Sequence, residues 1–187
     1  MIRSPGRLMA LASMLMLGAC ADGSRAVSVS NEDYAVAYDY NDFRTATDGK
    51  EFPVLIAGRP FAGLTTEETA RRLLPVLQAN KPRPRLTFVL QATGTYRLVL
   101  VFDPASGATA GRVCKGDTGS GPHVAGQVTV FAVYCRNDLA LSQAIGRTSA
   151  ASPEDPAVGR LFRDVFQTVF ADGQMNQPNQ SYPGGLQ

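Results

Sequence analysis

Apolar positions change period several times along the chain, and each change marks an element. Tyr34 to Tyr40 alternates large and small side chains, a period of two that predicts a first strand. The polar stretch 41–51 then reads as a loop, and Phe52 to Ile56, bounded by Gly58 and Pro60, as a second strand. Thr65 followed by Glu68 is a capping box, and Ala70, Leu73, Leu74 and Leu77 share one helical face. Pro75 lies inside that run and is expected to kink or end the helix near Leu74. Lys81-Pro82-Arg83-Pro84-Arg85 should be extended, because proline restricts itself and its predecessor.

The middle of the chain is β-rich. Leu86 to Gln91 and Tyr96 to Phe102, separated by Ala92-Thr93-Gly94-Thr95, carry a hairpin signal. Asp103-Pro104-Ala105-Ser106-Gly107 reads as a turn. Ala110 to Cys114 reads as a short strand, 115–126 as a glycine-rich loop, and Gln127 to Cys135 as the strongest strand. A short helix begun by Asn137 or Asp138 is expected up to Ile145. Asp155 and Pro156 open a final helix whose stripe is Val158, Leu161, Phe162, Val165, Phe166, Val169 and Phe170, closed by Gly173. That stripe suits core packing, since Arg160, Arg163, Asp164 and Gln167 opposite it lack the basic excess of a membrane-surface helix. The order predicts an α+β domain: an antiparallel sheet of about five or six strands with two or three helices on one face. The domain is placed at 34–172, with a disordered tail at 173–187.

Before the domain, Arg3 and Arg7 precede an apolar run from Leu8 to Leu17. That run is too short to span a bilayer, which takes about 20 apolar residues. Charge, apolar run, then Leu17-Gly18-Ala19-Cys20 is the layout of an export signal with a cysteine at the cut site. This stretch resembles the lipobox of bacterial lipoproteins. The resemblance implies cleavage between Ala19 and Cys20, a diacylglyceryl thioether on Cys20, and a signal peptide of residues 1–19. Two acyl chains meet the requirement of two signals for stable anchoring. Ala21 is not the aspartate that retains such proteins at the inner membrane, so the resemblance favours an outer-membrane anchor facing the periplasm. Residues 20–33 are small and polar, and read as a flexible tether.

Composition narrows the chemistry. With 18 Lys and Arg against 16 Asp and Glu the chain is nearly neutral, which implies no nucleic acid. A single histidine excludes any site built from two within one chain, so neither metal nor cofactor is expected. If Cys20 carries lipid, Cys114 and Cys135 remain as a pair in an oxidising compartment and are expected to form a disulfide.

Three further constellations stand out. Arg71, Arg72, Lys81, Arg83 and Arg85 form a candidate anion-binding patch, with a solvated face as the simpler reading. Asp117-Thr118-Gly119-Ser120 looks like the active-site tetrapeptide of aspartic proteases, yet Lys115 and Gly116 stand where those enzymes carry an apolar strand. Cys114 to Gly119 resembles the nucleophile loop of chymotrypsin-like proteases, but Thr118 replaces the serine and the only histidine, His123, follows the loop. The glycines lack the Gly-Lys-Ser/Thr of a phosphate loop. The expectation is a non-enzymatic, membrane-anchored accessory of the envelope, with a protein partner there. A hydrolase using Asp117 and His123 is the alternative.

Overall fold

The computed structural model describes residues 26–173. The lipobox with Cys20, the signal peptide and nearly all of the tail lie outside the described residues. The elements are β1 (Ser28–Tyr34), α1 (Tyr40–Thr47), β2 (Lys50–Ala57), α2 (Thr66–Ala79), β3 (Leu86–Leu90), β4 (Tyr96–Phe102), α3 (Ala110–Cys114), β5 (Gln127–Arg136), β6 (Leu139–Ser149) and α4 (Pro156–Val169). The strands form one sheet in the order β1-β6-β5-β4-β2-β3. Its pairings are antiparallel from β1 to β4 and parallel on both sides of β2. The α+β class and the mostly antiparallel sheet are as the sequence predicts.

The two faces of the sheet are covered differently. In β4, Leu98, Leu100 and Phe102 face the larger core, together with α1, α2 and α4. Val99 and Val101 face a smaller cluster with Val113, Phe131, Val133 and the two cysteines. A central strand buried on both faces reads as a continuous apolar run, which is why β4 and β5 are so plain in the sequence. In the larger core Phe43 stacks on Phe170 at 4.2 Å, with Phe52 and Tyr134 edge-on or tilted around them. On the other face α3 is held by the Cys114–Cys135 disulfide, with Cα atoms 5.7 Å apart. Arg97 Nη2 also donates to the Cys114 carbonyl, at 2.5 Å. The disulfide is therefore present, but it joins a helix to a strand, not two strands.

Several local expectations are corrected. β1 occupies Ser28–Tyr34, so the second half of the expected tether is a strand and the fold begins before residue 34. Beyond Tyr34, the last residue of β1, the expected strand 34–40 does not form. The Tyr34 hydroxyl donates to the Thr168 carbonyl and that of Tyr38 to the Ala171 carbonyl, which fastens this segment to the end of α4. The expected loop 41–51 contains α1, capped by Asp39, whose carboxylate accepts from the Asn41 amide at 2.8 Å. Burial of Phe43 gives this short helix the anchor its polar composition hides.

α2 runs through Pro75 to Ala79. Pro75 is exposed, so the Arg71 carbonyl it leaves without a donor faces water. Leu73 and Leu77, both fully buried, hold the turns on either side.

β3 and β4 are not a hairpin. β2 lies between them and pairs with both, Val54 standing opposite Leu90 on one side and Leu98 on the other. The connection 91–95 therefore passes across β2 at Pro53. A Cβ on Gly94 would sit 2.8 Å from Pro53 Cγ, so glycine makes the crossing possible. Pro53 is tolerated inside the strand because β4 pairing starts only at Val54.

Ala110–Cys114 is helical, not extended. The expected helix at 138–145 is β6, which returns from β5 through a tight turn with Asn137 at φ 52°. Its inward positions Ser142, Ala144, Gly146 and Thr148 are small or polar, so no apolar alternation announces the strand. Their size lets α4 lie close. A Cβ on Gly146 would stand 2.6 Å from Val165 Cγ2 and 2.7 Å from Leu161 Cδ1.

Candidate functional site

β2 and β4 are adjacent and parallel, and both lead out at the same edge of the sheet. In open sheets with parallel strands, the crevice beyond the carboxyl ends is where ligands are held. Here that crevice is a cleft of about 590 Å³. The β2–α2 loop supplies Gly58, Arg59, Phe61, Gly63 and Thr66, the end of β4 supplies Asp103, and the 115–126 loop supplies Ser120, Gly121 and His123.

The strand ends meet through glycine. Gly58 has φ +92°, and a Cβ there would lie 2.5 Å from the Phe102 carbonyl oxygen and 3.0 Å from Ser120 Oγ. Asp103 adopts the left-handed region at φ 46°, which aspartate tolerates better than most residues. Its amide donates to the Thr129 carbonyl at 2.9 Å, and its carbonyl accepts from the Gly121 amide at 2.6 Å. With Ala105 donating to the Gly119 carbonyl at 3.0 Å, these bonds fix the loop against the strand end.

The side chain of Asp103 is only 10% exposed and its Oδ2 lies 2.8 Å from His123 Nδ1. An ionised carboxylate only accepts, so Nδ1 carries the proton and Nε2 is left as the ring's free polar atom. His123 itself is 29% exposed. Thr66 Oγ1 donates to the Gly58 carbonyl at 3.3 Å, joining the first turn of α2 to the cleft floor. The capping box of α2 occupies the amides of Thr65 and Glu68. Among the described residues no cluster of three or more His, Cys, Asp or Glu is placed to hold a metal.

Of the predicted pair, His123 lies in the cleft and Asp117 does not. Asp117 Oδ2 accepts from Arg112 Nε at 2.8 Å on the outer side of the loop. The acid that meets His123 is Asp103, which the sequence presented only as part of an Asp-Pro turn. Its position directly after the apolar run 96–102 was the available signal, since that is a strand's carboxyl end. Arg59, Ser120 and Thr66 carried no signal of their own, because only tertiary structure brings the β2–α2 loop and the 115–126 loop together.

The basic patch is largely occupied. Arg72 forms a two-pronged pair with Glu154, at 2.7 and 2.6 Å, which holds the Glu154 carboxyl down at about 2. Arg85 lies 3.6 Å from Asp48. Lys81 Nζ donates to the Leu86 carbonyl at 2.8 Å, and Arg71 Nε to the Glu67 carbonyl at 3.4 Å. Arg83 contributes its carbonyl to the Tyr40 hydroxyl at 3.2 Å. These contacts match the solvated-face reading better than a dedicated site.

No protein-family model matches the chain. No curated protein matches it either. Among solved structures, a dodecameric leucine-to-methionine variant of PelC from Paraburkholderia phytofirmans is similar at a TM-score of 0.43 and 12% identity. The similarity covers 78% of this chain and 99% of that one. At that score it carries no argument about fold or function.

Proposed function

We propose that this chain is an exported, lipid-anchored binding module of the cell envelope, acting beside a membrane as a non-enzymatic accessory to a protein partner. The observation that carries the reading is the disulfide. It joins Cys114 to Cys135 and leaves Cys20, in its lipobox-like setting, as the remaining cysteine of a chain that has three. Structural disulfides belong outside the cytosol, so the bridge and the signal point to one compartment. Only Ala21 to Val27 separates Cys20 from β1, so the anchor would hold the sheet close to the bilayer, on the outer membrane's periplasmic side. Among the described residues no helix is long and apolar enough to cross a membrane.

Radiolabelled palmitate tests the anchor. The wild-type chain should incorporate label and sediment with membranes, and the Cys20→Ala chain should do neither. Label retained by Cys20→Ala, or a soluble chain still carrying residues 1–19, would end the proposal.

The His123–Asp103 contact favours a second reading, hydrolysis, with Asp103 in the place first assigned to Asp117. A carboxylate that orients an imidazole through Nδ1 leaves Nε2 to take a proton from water or from the Ser120 hydroxyl. Under this reading chromogenic esters are turned over by the wild-type chain, and both Asp103→Asn and His123→Ala abolish turnover. Activity that survives both substitutions would remove it.

A further inference from the structure

We infer that the cleft between the carboxyl ends of β2 and β4 is a phosphate-binding site, with Arg59 and His123 as its recognition groups. This deepens the binding-module reading and rests on it for the site's exposure to ligands outside the cytosol. Arg59 and Thr66 line the cleft from the β2–α2 loop, and Ser120 and His123 from the 115–126 loop. Arg59 forms no ion pair with any described carboxylate. The Arg59 guanidinium and the Ser120 hydroxyl are donors, and His123 Nε2, unprotonated while Nδ1 faces Asp103, accepts from a P–OH, a mixed set that suits a singly protonated phosphate. A planar carboxylate would engage fewer of them. The amides of Thr66 and Glu67 at the start of α2 are left over by the capping box, and add partial positive charge at the Thr66 side.

The one acid in the lining does not oppose this. Asp103 is 10% exposed and directs its Oδ2 at His123 Nδ1. It acts as a positioning residue, fixing the ring so that Nε2 is the free atom. The cleft, at about 590 Å³, leaves room beside a phosphate for a polar organic group. Such a group is found on a soluble phosphate ester and on a lipid headgroup alike.

The chain has a single histidine, which gives a clean probe. The full-length protein, in a sugar-based detergent free of phosphate and with its histidine carbon-13 labelled, is titrated with inorganic phosphate and with glycerol phosphate. The expected result is a saturable shift of the His123 signal with Kd near about 1 mM or tighter. Arg59→Ala should weaken it by about tenfold, the loss of one charge-assisted contact. Arg85→Ala, in the basic stretch outside the cleft, should leave it unchanged, and Asp103→Asn should weaken it without unfolding the chain by circular dichroism. No saturable shift by 20-fold above that concentration would overturn the site, as would equal weakening by Arg59→Ala and Arg85→Ala. Nanodiscs of phosphatidylglycerol against phosphatidylcholine distinguish the sources: a shift competed by glycerol phosphate only in the former identifies an anionic lipid headgroup, and no shift in either identifies a soluble ester. Failure of the palmitate experiment would leave this titration interpretable, because His123 reports the cleft and not the anchor.

Discussion

Breaking the Cys114–Cys135 bridge gives a worked test of how the second face of the sheet is held. The cysteines are 21 positions apart in the chain. Releasing a loop of that size in the unfolded state costs the native state about 3 kcal/mol in the chain-entropy model. A domain of this length loses about 2–4 °C of Tm per kcal/mol, so the melting temperature should fall by about 10 °C. Both sulfurs are buried, at 1% and 0% exposure, among Val99, Val101, Val113, Phe131 and Val133. A Cys114→Ala/Cys135→Ala chain therefore also loses packing, whereas wild-type protein reduced in dithiothreitol keeps nearly the same volume. Comparing the three by differential scanning calorimetry separates the two effects. The reduced protein should show the loop-closure loss, and the double variant a somewhat larger one. A reduced protein melting within about 2 °C of the oxidised one would refute the reasoning, because α3 would then be held by packing and by Arg97 alone. Since α3 leads directly into the loop that carries Ser120 and His123, hydrogen exchange in 115–126 should also rise on reduction.

Three further outcomes follow from the packing. Gly146→Ala places a methyl against Val165 and Leu161 and should destabilise by about 1–3 kcal/mol in urea unfolding; an unchanged midpoint would mean that α4 shifts freely on the sheet. Gln78 covers the open edge of β3, its Nε2 donating to the Leu86 carbonyl at 3.1 Å and its Oε1 accepting from the Phe88 amide at 2.8 Å. Gln78→Ala should cost about 1–2 kcal/mol and promote concentration-dependent association in light scattering, and a monodisperse variant of wild-type stability would contradict that role. Glu154 is held low by Arg72, so its pairing stabilises the fold above the ordinary carboxylate range and is lost as pH falls through about 2. The Tm difference between wild type and Glu154→Gln should accordingly be small and positive at pH 7, since both partners are about half exposed, and vanish near pH 2.

Local signals were enough wherever an element's stability is written in its own residues. The Thr65–Glu68 capping box, the Asp155-Pro156 start of α4 with its apolar stripe, and the apolar runs of β4 and β5 all formed as read. The disulfide was legible from cysteine arithmetic. Elements whose partners lie far away in the chain were not legible. α1 depends on Phe43 reaching Phe170, and β6 buries small residues under α4. The turn signal at 92–95 was real, but the tertiary fold used it to cross β2 instead of closing a hairpin.

The sequence by itself determined the class of fold, the strongest helices and strands, and the chemistry its cysteines and lone histidine allow. These depend on periodicity, capping and composition, which act over a few neighbouring residues. Only the tertiary structure decided that β2 would separate β3 from β4, and so that two parallel strands would end side by side. It also decided that Asp103, not Asp117, would meet His123. Those outcomes depend on contacts between segments distant in the chain, and no local pattern carries that information.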